Sequence, residues 1–338
     1  MKKLLIATAA LAMVAGTAQA QSNVTIYGIY GQGLVSTETG GAAAVNTMGA
    51  DRLDTGRLGF RGTEDLGGGL TATFQLESTL GGNGALGFTN PSTGGSNIFN
   101  RLAFAGLSSK DLGTLTLGRQ TDAVKEMEGL SIFQNMTDTH NITTVGDRAA
   151  NLSKYTSPNI QGLTFTVAYS EGYGGSGVSD AETGSGNQSA ALTGTRHLSY
   201  NAQYTLGGVK LAAARGTNNT TAGVESATTR YSAQGQVMGA TVGVSYTDNK
   251  LNAAGDKADQ LQVSARVPLA MLGSGVSLIG SYIQNDATAA ATNGIGYTAM
   301  LTKDLSKRTT LYAGYASLDV DTAASDVVVT TIGLQHKF

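Results

Sequence analysis

The chain has 338 residues, a formal net charge of −2 at pH 7 and 14% charged residues, so it lacks the strongly basic character of a nucleic-acid-binding protein. It contains no cysteine, which excludes a disulfide scaffold, a thiol nucleophile and a thiolate metal site. After residue 20 no apolar run approaches the roughly 20 residues of a membrane-spanning helix, so the sequence excludes spanning by helices.

Residues 1–20 have the layout of a cleaved secretory signal. Lys2 and Lys3 precede a mostly apolar stretch, and Ala18-Gln19-Ala20 matches an A-x-A cleavage site. We therefore predict an exported chain that begins at Gln21. No linker, charge block or change of pattern divides residues 21–338, so we predict a single domain there.

A hairpin over residues 57–77, RLGFRGTEDLGGGLTATFQLE, shows the pattern that dominates the chain. Apolar and polar side chains alternate with a period of two in both arms, and the glycines of the connection suit a tight turn. The pattern recurs to the C-terminus and predicts sixteen strands. They cover residues 23–35, 55–64, 69–80, 97–108, 113–120, 150–157, 162–171, 195–206, 209–217, 228–238, 240–248, 258–268, 275–285, 294–303, 309–318 and 326–338.

The links between these strands alternate in length. Short links separate long ones such as 36–54, 81–96, 121–149 and 172–194, which is typical of an up-and-down outer-membrane barrel. Each strand has one apolar face, and no second apolar layer exists to cover it, so we expect that face to meet lipid. The fold prediction is an all-β, transmembrane, 16-stranded antiparallel up-and-down β-barrel, whose polar face lines an aqueous lumen.

Several blocks resemble the general porins of Gram-negative bacteria, particularly the β-proteobacterial type. They are VTIYGIYGQG at 24–33, RLGFRGTEDLGGGL at 57–70, NRLAFAGL at 100–107, LGTLTLGRQ at 112–120 and GLQHKF at 333–338. The resemblance implies a homotrimer in the lipid of the outer membrane, with the third long loop folded into each pore. It also implies that Phe338 is the signal read by the barrel-assembly machinery.

The resemblance directs attention to a constriction between the third loop, about 121–149, and the wall opposite. The loop carries charges near its start: Asp122, Lys125, Glu126 and Glu128. Arg57, Arg61 and Arg101 lie at inward positions and resemble the basic cluster of family members. Acid facing base across a narrow lumen would create a transverse field that sorts ions. In the alternative interpretation, these arginines only tie loop and wall together through ion pairs.

Arg119 does not fit strict alternation, which would point it at lipid at a cost of about 2–4 kcal/mol near the bilayer midplane. We therefore predict a bulge, or an exit from the membrane, that turns this side chain into the lumen. The remaining inward charges are mostly basic: Lys154, Arg230, Arg266 and Lys337, against Glu77. This balance predicts a weak preference for anions.

The predicted function is passive diffusion of ions and small hydrophilic solutes through an outer-membrane channel. A substrate-selective porin and an outer-membrane adhesin remain alternatives. The three histidines share no ligand spacing, so we expect no metal, cofactor or catalytic residue and no enzymatic activity, although loop carboxylates could bind Ca²⁺. Several tyrosines near strand ends are expected to form interfacial girdles: Tyr27, Tyr155, Tyr169, Tyr246, Tyr282 and Tyr315.

Overall fold

A computed structural model describes residues 23–82, 86, 88–89, 96–130, 148–171, 196–219, 225–250, 257–288, 293–321 and 326–338. Its main element is one antiparallel sheet that closes on itself, in which each long strand pairs with its neighbours along the chain. The sixteen long strands are β1 (Asn23–Thr39), β2 (Arg57–Gly67), β3 (Leu70–Thr79), β4 (Leu102–Ser109), β5 (Gly113–Thr121), β6 (Arg148–Thr156), β7 (Leu163–Glu171), β8 (Arg196–Leu206), β9 (Val209–Asn219), β10 (Glu225–Val237), β11 (Ala240–Lys250), β12 (Lys257–Pro268), β13 (Val276–Ala287), β14 (Gly294–Asp304), β15 (Thr309–Val320) and β16 (Val327–Lys337).

The barrel closes between β1 and β16. Residues 29–39 of β1 pair with β16, and residues 23–29 pair with β2 on the other side. Two backbone hydrogen bonds of 3.0 Å join Gly28 and Phe338, one from each amide to the other carbonyl. The short strand Val45–Ala50 pairs with β1 on the same side as β2, so the closed wall has sixteen strands. The predicted fold class is confirmed.

The predicted strand bounds need two corrections. Residues 36–54, expected as a loop, contain the end of β1 and the short strand Val45–Ala50, because polar residues in β1 still pair with β16. Residues 97–101 were expected in a strand, but β4 begins only at Leu102.

The remaining described elements are short. Two 3₁₀ helices occur, Lys125–Leu130 and Ala270–Leu272, together with a pair of two-residue strands, Phe88–Thr89 and Ser96–Asn97. Within the described ranges no helix is long and apolar enough to cross a membrane.

The side chains have the opposite distribution from that of a water-soluble protein. On β7, Phe165 and Val167 are 39% and 42% exposed on the outer face, whereas Thr166 between them is 1% exposed. The same alternation runs through β8 and β11 to β14, where leucine, valine and tyrosine are exposed and serine, threonine and glutamine are buried. The apolar face therefore surrounds the barrel, and the polar face lines its interior.

Two chain segments fold inside the barrel and pack on its inner wall. Leu53 packs on a buried cluster that includes Val35, Ile279 and Met300. On another part of the wall, Val124 and Met127 of the link between β5 and β6 are fully or almost fully buried against alanines of β9. The start of the third loop therefore lies against the inner wall, and the inward folding of the loop over about 121–149 stays a prediction.

Candidate functional site

Two arginines of β2 lie on the inner wall. Arg57 and Arg61 are opposite Ile29 and Thr25 of β1, on the same face as the inward-facing Tyr27. Arg57 donates to the carboxylate of Asp54 and, over 3.1 Å, to the carbonyl of Thr55. Arg61 is exposed, and its guanidinium carbon lies 5.1 Å from the centre of the Tyr27 ring. No described carboxylate lies within ion-pair distance of Arg61, and its role in the pore stays a prediction.

Arg101 lies on the same part of the wall but is neutralised. Its Nε donates to Oε1 of Glu77 over 2.6 Å, and both side chains are about 95% buried, with exposures of 5% and 6%. The other carboxylate oxygen of Glu77 accepts from the Tyr27 hydroxyl over 2.8 Å, and Gln75 donates to that hydroxyl over 2.6 Å. Arg101 is the residue just before β4 begins. Its inward contact with Glu77 therefore arises where the chain joins the sheet, and it does not follow from the alternation of side chains along a strand.

Arg119 is found where the pairing between β5 and β6 shifts. The register changes between Gly118 and Gln120, which is the predicted bulge. Arg119 donates from Nε to the carbonyl of Asn100, the residue just before Arg101, and its side chain is half-buried. The guanidinium of Arg119 at the bulge thus has a polar partner, the carbonyl of Asn100. Its proposed lumen-facing role remains a prediction.

The start of the third loop is fastened to the inner wall by a cation and an amide. Lys154 of β6 donates to Oε1 of Glu126 over 2.8 Å and to the carbonyl of Thr121 over 3.0 Å. Asn201 of β8 donates to the carbonyl of Ala123 and to the other oxygen of Glu126, over 2.8 and 3.1 Å. Two predicted pore charges, Lys154 and Glu126, are therefore joined to each other.

Asp122 is fully buried, and its carboxylate forms the first turn of the loop. Oδ1 accepts from the backbone amides of Val124 and Lys125 over 3.0 and 2.8 Å. Oδ2 lies 3.2 Å from Nε2 of His197 on β8, which is also fully buried. This carboxylate holds the loop in place and does not face the water of the lumen, unlike the pore-facing charge expected from the sequence.

The other wall residues fall in different surroundings. Arg230 is buried on β10 and donates to the hydroxyl of Thr247 over 3.0 Å. Arg266 and Lys337 are exposed at inward positions, opposite Thr241 and Ile29 respectively. The side chain of Glu128 lies outside the described residues. Within the part of the chain that the structure describes, no group of three or more His, Asp or Glu side chains could hold a metal ion.

Two functional residues were misjudged from the sequence. Tyr27 was expected in an interfacial girdle, but it faces inward and orders the Glu77 carboxylate. Counting alternation from the exposed Val24 and Ile26 would have shown this. For His197 the sequence analysis expected no metal or catalytic role and predicted no other, yet this side chain contacts the third loop. Its exposed neighbour Leu198 marks it as inward-facing.

Comparisons with known proteins agree with this architecture. The family model described as Gram-negative porin matches residues 7–323. An outer membrane porin protein of Bordetella pertussis is 28% identical over an alignment 407 residues long, which covers 100% of both chains. Outer membrane porin protein 32 of Delftia acidovorans is 35% identical over 187 residues, which cover 50% of this chain and 49% of that protein.

Solved structures show the same fold. An anion-selective porin from Comamonas acidovorans matches with a TM-score of 0.75 at 23% identity, over 94% of this chain and 100% of that chain. Salmonella typhi OmpF matches with a TM-score of 0.69 at 17% identity, over 93% and 97% of the two chains. The family match spans most of the sequence, and the closed barrel has the expected strand number and polarity. The chain belongs to the family of Gram-negative porins, the channel proteins of the outer membrane.

Proposed function

We propose that this chain forms a passive channel for ions and small hydrophilic solutes, with a weak preference for anions and no catalytic step. The observation that carries the proposal is the balance of charge on the inner wall. Glu77, Asp54 and Glu126 each have a basic partner within hydrogen-bond distance. Arg61, Arg266 and Lys337 are exposed inward bases, and no described carboxylate lies within ion-pair distance of them.

Two exposed acids, Asp65 and Asp304, also lie at inward positions near the turns. Among the described residues the exposed inward bases outnumber these acids, although the chain as a whole has a formal net charge of −2. A fixed charge at the wall acts on passing ions within a few ångströms, whereas acids at the outer rim are screened over about 8–10 Å. The solved structure that matches with a TM-score of 0.75 is of an anion-selective porin, which supports the same sign of selectivity.

We also propose a homotrimer in the outer membrane lipid, delivered by a cleaved signal over residues 1–20, which lie outside the described residues. A structural neighbour, OmpT of Vibrio cholerae, was solved in a trimer form, which supports the assembly. Phe338 forms part of the barrel seam and is the proposed signal for the barrel-assembly machinery. The proposed constriction is the lumen between the third loop and the arginines of β2.

Planar-bilayer recording on protein purified from outer membranes tests the proposal. In a salt gradient we expect ohmic steps that close in threes and a reversal potential on the anion side. A cation-selective reversal potential would contradict the argument from the wall charges but leave the channel intact. The absence of stable conductance from folded protein would refute the channel function.

A further inference from the structure

The strand that pairs with β1 ahead of the main part of β2 is interrupted by a short excursion of the chain. The short strand Val45–Ala50 pairs with β1 as far as Gln32, and the pairing resumes with Arg57 opposite Ile29. Residues 51–56, here called the inner segment, are inserted between these two stretches, while β1 itself continues without a gap. Such an insertion is a large β-bulge, and its extra residues have to leave the plane of the sheet.

The contacts of the inner segment show that it leaves the sheet on the lumen side. Asp51 is 5% exposed, and its carboxylate accepts from Nε2 of Gln335, a buried inward residue of β16, over 2.5 Å. The amide of Arg52 donates to the hydroxyl of Tyr312 on β15 over 3.1 Å. The chain therefore leans from β1 across the seam toward β15.

Glycines of β1 and β16 leave the room that these contacts need. A Cβ atom at Gly31, in the middle of β1, would lie 2.6 Å from Oδ2 of Asp51 and 2.9 Å from its Cβ. A Cβ atom at Gly333 would overlap the hydroxyl of Tyr312. The inner wall is thus shaped to hold the inner segment at mid-height of the barrel.

The inner segment and the start of the third loop lie on opposite sides of the lumen. In the closed ring of sixteen strands, β8 and β9 lie halfway around from β16 and β1. The third loop begins against β8 through Asn201 and against β9 through the alanines that contact Met127. Among the described residues, two segments therefore reduce the width of the lumen from opposite sides.

Arg52 is the base that the inner segment carries. The side chains on either side of it turn to the wall, since Asp51 contacts β16 and Leu53 packs on the buried inward cluster. Arg52 itself is half-buried, and no described carboxylate lies within ion-pair distance of it. The next acid, Asp54, is already paired with Arg57. The guanidinium of Arg52 is therefore an unpaired positive charge on the lumen side of the segment.

We propose that the inner segment is a second constriction element of the pore and that Arg52 is a specificity-determining residue, which attracts anions into the passage between the segment and the third loop. This inference rests on the proposed function, because it names a further base that acts on the permeating ion. A fixed charge at a narrowing acts on ions that pass within a screening length of about 8–10 Å. Asp51 is the positioning residue, since it also accepts from the amide of Leu53 over 2.9 Å and fixes the turn of the segment.

The first test determines which way the segment faces. The chain has no cysteine, so the reaction of a single introduced cysteine with a water-soluble methanethiosulfonate can be followed by mass spectrometry on the purified protein. We expect Arg52→Cys to react about tenfold or more faster than Leu53→Cys, because the Leu53 side chain packs on the wall. Equal rates would overturn the proposal. This measurement does not need conduction, so failure of the channel function does not obscure it.

The second test measures the effect of the charge in bilayer recordings under a salt gradient. We expect Arg52→Cys to lower the anion-to-cation permeability ratio about fourfold, as for a unit charge about 10 Å from the ion in water. A cationic methanethiosulfonate should restore the ratio, and an anionic one should lower it further. Arg308→Cys, at the exposed arginine in the turn between β14 and β15, is the matched control and should keep the wild-type ratio with either reagent.

An Arg52→Cys channel that has the wild-type ratio, or that responds equally to the two reagents, would overturn the inference while leaving the diffusion channel established. The expected direction of the shift does not depend on the selectivity of the wild type. A cation-preferring wild type would therefore refute the proposed anion preference, and the reagents would still test Arg52.

A third variant tests the hold on the segment without changing a charge. The methyl group of Gly31→Ala overlaps the Asp51 carboxylate, so it should push the segment into the passage and cause a loss of unit conductance. Gly49→Ala is the matched control, because its nearest contact would be an ordinary 3.5 Å to Val35. A wild-type conductance in Gly31→Ala would overturn the proposal that the segment bounds the passage.

Discussion

The buried pair of Arg101 and Glu77 predicts that one arginine of the basic wall contributes to stability and not to selectivity. Replacing Arg101 with methionine keeps most of the side-chain volume but leaves the Glu77 carboxylate without its cation, at a site where both side chains are about 5% exposed. Removing one partner of a buried ion pair costs about 3–5 kcal/mol, because the other charge is left uncompensated. Tyr27 still donates to this carboxylate, which places the expected loss near the lower end of the range.

The assay is equilibrium unfolding in urea of the detergent-purified protein, followed by far-UV circular dichroism because the chain has no tryptophan. With an m-value of about 3 kcal/mol/M, a loss of this size lowers the midpoint by about 1 M. Arg101→Met combined with Glu77→Gln removes both charges and keeps an acceptor for Tyr27. We expect the double variant to recover most of the loss and to keep the wild-type reversal potential.

An Arg101→Met protein that unfolds at the wild-type urea concentration would contradict the prediction, since the pair would then contribute nothing to stability. A double variant, in which one base and one acid are lost, would also contradict it by shifting the reversal potential as strongly as the loss of an exposed arginine. In that case Arg101 would act on passing ions despite its burial. An ion pair with a carboxylate would then not distinguish an arginine that only ties loop and wall together from one that sorts ions.

Further predictions concern single side chains. Arg61→Gln should lower the anion-to-cation permeability ratio about sevenfold, since a unit charge about 7 Å from an ion in water stabilises an anion and destabilises a cation by about 0.6 kcal/mol each. Arg215→Gln, on the outer face, should leave the reversal potential unchanged, and equal shifts in the two variants would contradict the assignment. Lys154→Met should increase partial closures in single-channel records because Glu126 loses its cation, while Lys154→Arg should not. Phe338→Ala should reduce the amount of heat-modifiable folded protein in outer membranes, and an unchanged yield would count against its role in assembly.

The strands and their faces could be predicted because the signal is local. In β7, alternation from Leu163 to Ser170 fixes both the strand and the side that each residue faces, and no distant contact is needed. The inward direction of Arg57 and Arg61 followed from the same rule. The alternation of side chains does not predict their direction where the chain joins or leaves the sheet. Arg101 is such a residue, because its contact with Glu77 depends on a turn of the backbone that the sequence does not specify.

The contacts of the third loop could not be predicted, because they join residues far apart in the sequence. Asp122 was correctly placed in the loop, but its partner His197 is on a strand that follows two long links, and no spacing rule connects the two. The same applies to Lys154 and Glu126, which were identified separately as pore charges. Sequence patterns thus indicate which residues share the lumen, while ion pairing within it depends on how the loop lies.

The seam between β1 and β16 also governs the order in which the protein can fold. Its partners are the first and last strands of the chain, so the contacts with the greatest sequence separation in the sheet are those that close it. Contacts of this kind form late, because a long stretch of chain must be ordered before they become favourable. Until Phe338 reaches Gly28, one edge of β1 has unpaired amides and carbonyls that could capture a strand of another molecule. Productive assembly therefore depends on shielding that edge until the last strand arrives.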